Sequence, residues 1–510
     1  MAAATLDTDV LVVGAGPTGL MLACWLARLG VDHVLVDEGT GPTRESRAVV
    51  LQACSMELYA QLGMVDAVRD RVSWASGLRP GWERRPAPGV VPLAVMMGMQ
   101  SPHPGVHVLE QSENERLLGA RLRELGSDVA WSSRLLELHQ GDGRVRALLA
   151  TPSGPRTVTA RWCVGTDGAG STVRQQTGIA FRGSTAAQTF WVADAATVEG
   201  LEEGRITLRA GADRFLLTFP LGPGRHRLIG VLGDGEEADP QRVTAELGER
   251  FDVRVSDLRW FSSYRVHHKV AESFRRGRVL LAGDAAHVHS PVGGQGMNTG
   301  LQDAHGLAFK LAAVLAGQAG EDHLDHHDLE RRPVALRLVG STDRVFTAVV
   351  DRSRAAVLAR RLAVPLLAPV VSLVVGRLPV ARRLAGYVGQ LRIHYWRSPE
   401  HRRRSRGRRD PVVGRRLPWT GDNHESLRSA DWQVHGYGTE LPALTGLPSL
   451  VTRTHRFSPR PELGLVPGRW LLVRPDGFVA AAASPARAAA VFDAALAELG
   501  FLPGARHPHP

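Results

Sequence analysis

The sequence predicts an α/β protein with three parts: a Rossmann-like dinucleotide-binding layer, a β-rich insertion, and a small α/β unit at the C-terminal end. Three observations carry this expectation. A short apolar run, Asp9 to Val13, leads into Gly14-Ala15-Gly16-Pro17-Thr18-Gly19 and then a helical pattern. Between about 180 and 265 the stretches ITLRA, RFLLTFPLG and HRLIGVLG alternate as antiparallel strands with one covered face do. The last ninety or so residues return to short strands, WQVHGYG, RWLLVRP and GFVAAA, and a terminal helix, PARAAAVFDAALAELG.

Each element of the opening has a reason. Asp9 to Val13 is rich in β-branched residues and suits a strand buried on both faces; LMLACWLARLG reads as a helix ending at Gly30. His33 to Val36 is a second buried strand stopping at Asp37-Glu38, which completes a βαβ unit. Gly14 permits the sharp turn, Gly16 lets the backbone approach a pyrophosphate, and Gly19 lets the helix pack close to the strand. Pro17 and Thr18 open that helix, whose N-terminus favours an anion. Asp37 can accept hydrogen bonds from a ribose diol, with Glu38 as the alternative. A carboxylate there repels the 2′-phosphate of NADP, so the site suits FAD or NAD.

Two further stretches fit a nucleotide site. Gly165-Thr166-Asp167-Gly168-Ala169-Gly170-Ser171-Thr172-Val173-Arg174 follows the strand-like RWCV and opens a helix, where Asp167 is either a helix cap or a ligand contact. Val279-Leu280-Leu281-Ala282-Gly283-Asp284 delivers an acid from a strand end, and Gly293-Gly294-Gln295-Gly296-Met297-Asn298 then starts a long helix. Asp284 can accept from a polyol hydroxyl, and the glycine-rich segment aims backbone N–H groups at an anion. Such a helix start stabilises the negative charge of a reduced flavin by roughly 0.3–2 kcal/mol.

Composition bounds the function. The chain has 510 residues, enough for two to four domains at about 150 residues each, with 44% hydrophobic and 22% charged residues. Its three cysteines, Cys24, Cys54 and Cys163, form no C-x-x-C pair, which disfavours a disulfide scaffold, a zinc site or a dithiol centre and points to a reducing cytoplasm. No basic region precedes an apolar stretch at the N-terminus, so no signal peptide is read. The net charge of +11 owes six charges to arginines within 402–409, a run without aromatics that suits a solvated linker better than a nucleic-acid groove. The apolar segment from Leu362 to Gly376 is too short for a bilayer, so no stable membrane insertion is expected. The Glu321–Asp328 run of acids and histidines is expected to be solvated, with no metal site, and His287, His289 and Ser290 beside Asp284 are too local for a triad.

The three motifs, in this order and spacing, resemble the class A FAD-dependent aromatic hydroxylases, the para-hydroxybenzoate hydroxylase-like superfamily. The stretch AGDAAHVHSPVGGQGMNTGLQDAHGLAFKLA, with ESRAVVLQACSMELY, QSENERLL and LERRPVA, resembles its branch of phenol-type and aromatic-polyketide monooxygenases. The resemblance implies an FAD-binding domain over 1–180 and 265–400 with a helical end at 300–400. It further implies a substrate sheet over 181–264 with part of 75–105, and a thioredoxin-like domain over 410–510 that lacks cysteines and is structural or dimer-forming. By the same resemblance, Gly14, Gly16 and Gly19 meet the FAD pyrophosphate, Asp37 or Glu38 the ribose, Arg47 and Gln111 the flavin, and Asp167 and Arg174 the FAD and transient NAD(P)H. Gly283 and Asp284 belong with the ribityl chain, Gly294, Gln295, Gly296, Met297 and Asn298 with the flavin ring edge, and Pro291 with the oxygen-reactive face. Arg47 and Pro291 are the implied catalytic pair.

The implied reaction is hydroxylation of a phenolic or polycyclic aromatic, an aromatic polyketide of secondary metabolism, with NAD(P)H and dioxygen as co-substrates and oxygen transferred through a flavin C4a-hydroperoxide. Baeyer–Villiger insertion on the same scaffold, or a flavin protein that does not activate oxygen, are the alternatives. Trp191, Phe215, Phe219 and Pro220 are candidate substrate walls, although an aromatic on a strand also serves as plain core. The Met-rich MMGMQ at 96–100 is an adaptable wall or a core filler. No residue identifies itself as a base for the substrate. Gly14→Val is expected to abolish FAD binding by filling the pyrophosphate approach, which flavin absorbance of the purified variant would show.

Overall fold

The computed structural model describes residues 5–43, 48–93, 100–233, 235–289, 293–350, 353–359, 361–362, 386–395, 410–438 and 446–506. The strand Thr5–Val13 is the centre of the first sheet, parallel to His33–Val36 on one side and Gly154–Gly165 on the other. Gly154–Gly165 is in turn parallel to Val279–Leu281, and the register sets Val13, Val36, Gly165 and Leu281 side by side. All three glycine-rich motifs therefore leave the same edge of one sheet, beyond the carboxyl ends of its strands, where parallel α/β sheets place ligands. The central strand takes this position because it is apolar on both faces. Val10 and Val12 pack with the helices Pro17–Arg28 and Gly296–Leu315, while Leu11 and Val13 join the opposite core. Pro17–Arg28 is buried almost all round, with Trp25 edge-on to His305 of the long helix at 4.8 Å between ring centroids.

The second sheet has eight strands, in the order His287–Val288, Arg254–Ala271, Phe181–Glu199, Arg225–Val231, Phe215–Gly222, Arg205–Ala210, Gly77–Trp82 and Arg85–Pro86. Its strand Arg254–Ala271 runs past residue 264, and Lys269 and Val270 pair with Val288 and His287, so the sheet is stitched to the turn that carries Asp284. Alternation divides it cleanly. Phe190, Val192, Phe219 and Ile229 face one core, whereas Trp191, Ala193, Leu216 and Leu228 face the helix Pro240–Phe251.

A third sheet, ordered Val451–Phe457, Trp432–Tyr437, Arg469–Val473, Val479–Ala483, has its first pair parallel and the others antiparallel, with the helix Ala488–Glu498 following. It docks through buried ion pairs. Arg474 reaches Glu330, which also accepts from Lys310 at 2.8 Å, and Arg416 grips Glu57. The expected solvation of 321–328 holds for Glu321, Asp322 and Asp325, which are exposed, but is corrected for His323 and His327, which are buried where the run leads into the helix Asp325–Val350 against the first sheet. The arginine run 402–409, residues 363–376 and residues 96–99 lie outside the described residues. Among the described residues, no helix is long and apolar enough to cross a membrane and no group of side chains could hold a metal ion.

Burial holds His305 and His424 down to about 4 and His323 to about 3. On acidification from pH 7 the unfolded chain binds protons at these histidines near 6.5 while the folded chain does not, so falling pH favours unfolding by roughly 1.4 kcal/mol per unit per histidine. The apparent thermal midpoint is expected to drop steeply between pH 6.5 and 4, and by less in His305→Gln. Differential scanning fluorimetry across that range checks this.

Candidate active site

The aligned strand ends open into a cavity of about 810 Å³ that runs from the first glycine turn to the apolar face of the second sheet. Gly14 has φ +102°, and a Cβ there would lie 2.6 Å from the Thr166 carbonyl; at Gly19 it would lie 1.9 Å from Gly14 O. At Gly16 a Cβ would meet nothing within 4 Å, so this position faces open space on the cavity wall. The reason given for Gly14→Val is thereby corrected: a side chain at 14 collides with the Thr166–Asp167 backbone, and Gly16 is the glycine that leaves room for a ligand. The helix Pro17–Arg28 starts with no side-chain cap and no acid in its first turn, which leaves its N–H groups for an anion. Thr18 is wedged between two glycines, since a Cβ at Gly283 (φ +61°) or Gly300 would come within 2.5 Å and 2.3 Å of its Oγ1.

The acids divide their work. Asp37 Oδ2 accepts from Ala15 N at 2.6 Å and Oδ1 from Gly39 N at 2.7 Å, so this carboxylate braces the glycine turn. Exposed Glu38 lies beside it on the cavity. Asp167 accepts from Ser171 Oγ at 2.5 Å and Val173 N at 3.1 Å, and burial raises its pKa despite these bonds. It lines the cavity; Arg174 does not. Arg174 is buried, donates to Ala285 O and Ala169 O, and lies 3.9 Å from the centroid of Phe181, so it ties the second motif to the third. Gln111 lines the cavity and donates to Glu115 at 2.9 Å.

At the third motif, Asp284 is exposed to the cavity and Gly283 is buried beneath Thr18. Gly293 and Gly294 have φ +84° and +61°, and Gly294, Gln295, Gly296 and Met297 line the wall at the start of a 20-residue helix with no side-chain cap. Asn298 does not line it. Its Oδ1 accepts from Gln52 N and Ser55 Oγ, and its Nδ2 donates to Val50 O and Gly294 O, so every polar atom of this amide is used to hold the loop. One turn on, buried Asp303 accepts from His287 Nε2 and Arg331 Nε at 2.6 Å each and from Gly283 N at 3.1 Å. Arg47 and Pro291 lie outside the described residues.

Of the candidate substrate walls, Phe219 lines the cavity. Phe215 shares its face but packs at a tilt against Phe190 in the core, 6.0 Å between ring centroids; Trp191 lies on the opposite face, and Pro220 does not line the cavity. Ile229, Tyr264, Val266, Val49 and Val50 form the wall instead. Strand parity could have found Ile229, but the sequence carries no pairing register.

Residues 7–342 match a family model described as an FAD binding domain. The chain belongs to this FAD-binding family. It is 33% identical to a 6-methylpretetramide 4-monooxygenase of Streptomyces rimosus, over 93% of this chain and 90% of the relative. It is 31% identical to the 12-dehydrotetracycline 5-monooxygenase/anhydrotetracycline 6-monooxygenase of Streptomyces rimosus subsp. rimosus, over 94% and 95%. Among solved structures it is similar to the anhydrotetracycline hydroxylase OxyS from Streptomyces rimosus, with TM-score 0.78 and 29% identity over 98% of this chain and 100% of that one. CabE, an aromatic hydroxylase from angucycline biosynthesis, gives 0.75 and 29% over 98% and 99%. The protein has the fold of the class A aromatic hydroxylases and is a flavin-dependent monooxygenase, with FAD as cofactor and NAD(P)H as the reductant of its class.

Burial pushes the Asp303 carboxyl up, but Arg331 and then His287 outweigh it and hold the group well below the ordinary range. Its stabilisation is full above about pH 4 and is lost only as pH falls through the lowered folded value. Asp303→Asn leaves Arg331 buried without its countercharge and is expected to cost about 3–5 kcal/mol at neutral pH, read as a lowered denaturation midpoint with weaker FAD retention.

Proposed function

We propose that this flavin-dependent monooxygenase hydroxylates a fused-ring aromatic polyketide, and that its cofactor lies along the 810 Å³ cavity. The observation carrying this reading is the pairing, in one cavity, of two uncapped helix N-termini with an apolar sheet face. The residues present fit FAD. Gly16 leaves its space, the first turn of Pro17–Arg28 holds the pyrophosphate, and Glu38, with Asp37 as its brace, takes the adenosine ribose. Asp284 accepts from the ribityl hydroxyls, while Gly294 to Met297 and Gln111 hold the ring. Asn298 and Arg174 act as positioning residues. Bound FAD supplies oxygen activation, with electrons from NAD(P)H.

The other residues bind, orient and exclude water. Phe219, Ile229, Tyr264 and Val266 present a flat apolar wall suited to an aromatic ring system. The first turn of Gly296–Leu315 stabilises negative charge at the cavity wall. The 6-methylpretetramide and anhydrotetracycline named for the relatives, and the aklavinone bound in the similar aklavinone-11 hydroxylase, support the polyketide class. The three buried thiols suit a reducing, cytoplasmic setting, and the cysteine-free C-terminal unit serves packing, not thiol exchange.

Purified protein is expected to be yellow and to oxidise NAD(P)H faster with an aromatic polyketide, giving a product one oxygen heavier whose ring position NMR assigns. Folded protein that is colourless and cannot be reconstituted with FAD overturns the reading. Asp284→Ala is expected to lose FAD on gel filtration by removing its ribityl acceptor; wild-type flavin stoichiometry after the column counts against that assignment.

A further inference from the structure

The strand Arg254–Ala271 forms a rim of the 810 Å³ cavity, which takes residues from both of its faces. Tyr264 and Val266 belong to the apolar wall, whereas Arg265 and His267 leave from the opposite face by strand parity and are exposed. The paired strand Phe181–Glu199 bulges at this point. Thr185 stands opposite His267 and Thr189 opposite Arg265, so three residues face Val266 alone. A bulge interrupts the ladder and re-aims side chains, and this one lies where the two basic residues meet the cavity.

Lys269, half-buried, follows on the same face. Arg265, His267 and Lys269 thus alternate with Val266, His268 and Val270, which are buried. At about 3.3 Å per residue the row is about 13 Å long. Among the described residues, Arg265 and Lys269 have no hydrogen-bonding or ion-pair partner. The next acid along the chain, Glu272, is held by Arg182 at 2.8 Å. Of the four acids among the described lining residues, Asp37, Glu38 and Asp167 stand at the glycine turns, and Asp284 on the turn before His287–Val288. Arg134, the other cation of the lining, lies at the first end, where the neighbouring Ser133 N donates to Asp37 O.

These cations face a demand that the rest of the site leaves open. On the reading above, the first turn of Pro17–Arg28 provides for the FAD pyrophosphate. The reductant is a second dinucleotide that must dock and leave, and it carries a pyrophosphate of its own. Arg174, assigned to it by the family resemblance, is buried and engaged with Ala285 and Ala169. An exposed row of charge at the rim, with no protein countercharge to displace, suits a polyanion that binds transiently.

We propose that this row docks the phosphates of NADPH: Arg265 and His267 the pyrophosphate, Lys269 the 2′-phosphate. Thr185 Oγ1 donates to His267 Nδ1 at 2.9 Å, which leaves Nε2–H to donate to a phosphate oxygen. The proposal rests on the placement of FAD in this cavity and not on the choice of aromatic substrate.

Tetrahydro-NADPH, which keeps every phosphate but gives up no hydride, is the probe, titrated by calorimetry into the full-length FAD-loaded protein. Its affinity is expected to fall about tenfold between about 0.05 and 0.5 M NaCl, as screening of exposed charges requires. Arg265→Gln weakens the probe about tenfold, the loss of a charge-assisted hydrogen bond. Lys269→Gln weakens it by a similar factor but leaves tetrahydro-NADH, which lacks the 2′-phosphate, at its wild-type affinity. Both variants keep wild-type FAD content and thermal midpoint, since neither side chain supports a contact within the fold. Affinity insensitive to salt, or an Arg265→Gln variant that binds like wild type, overturns the proposal. Loss of FAD from Arg265→Gln overturns it too, by assigning that cation to the cofactor. A Lys269→Gln effect equal on both analogues overturns the 2′-phosphate assignment. Protein that never takes up FAD sinks the functional reading, whereas yellow protein that binds the probe without these cations sinks this inference alone.

Discussion

The Thr18 slot is the steric fact on which the rest depends. Thr18 occupies space that exists only because residues 283 and 300 lack side chains, and it joins the first glycine turn, the Asp284 turn and the long helix at one point. Gly19 against Gly14 and Gly14 against Thr166 make the same kind of contact one step away. Segments around residues 14–19, 166 and 283–300 thus meet at backbone distance, and the cavity is what remains between them. Close approach is possible there because strand register brings Val13, Gly165 and Leu281 level.

Around that steric centre, buried charge fixes orientation. Asp303 spends its carboxylate on His287, Gly283 and Arg331, so the turn bearing Asp284 and the helix bearing the glycine loop cannot move independently. Asn298 does the same for residues 50–55 with neutral hydrogen bonds. Farther out, Lys310, Glu330 and Arg474 connect the long helix to the C-terminal unit. The unit without thiols is therefore coupled mechanically to the helix whose first turn lines the cavity. Buried ion pairs add little net stability, but they penalise any arrangement in which a partner is missing, which suits a site whose parts must keep register.

Neighbouring residues of one motif or sheet meet different surroundings. Asp37 and Glu38 are adjacent acids after one strand and both line the cavity, but Asp37 also accepts from Ala15 N and Gly39 N, which ties it to the glycine turn. Trp191 and Phe219 are both strand aromatics; pairing Trp191 with Gly230 turns it toward the helix Pro240–Phe251, because only a glycine opposite leaves room for its indole. Arg174 and Asn298 belong to the motifs but hold them together instead of facing the cavity.

The sequence by itself determined the βαβ start, the order of the three motifs and the chemistry their glycines permit, because those depend on local turn geometry and on strands apolar on both faces. Tertiary structure alone decided which acid braces the glycine turn, which face of the second sheet forms the wall, and that His323 and His327 are buried. Those outcomes rest on register, on the parity of cross-strand pairs and on contacts between residues far apart in the chain, none of which a local pattern encodes.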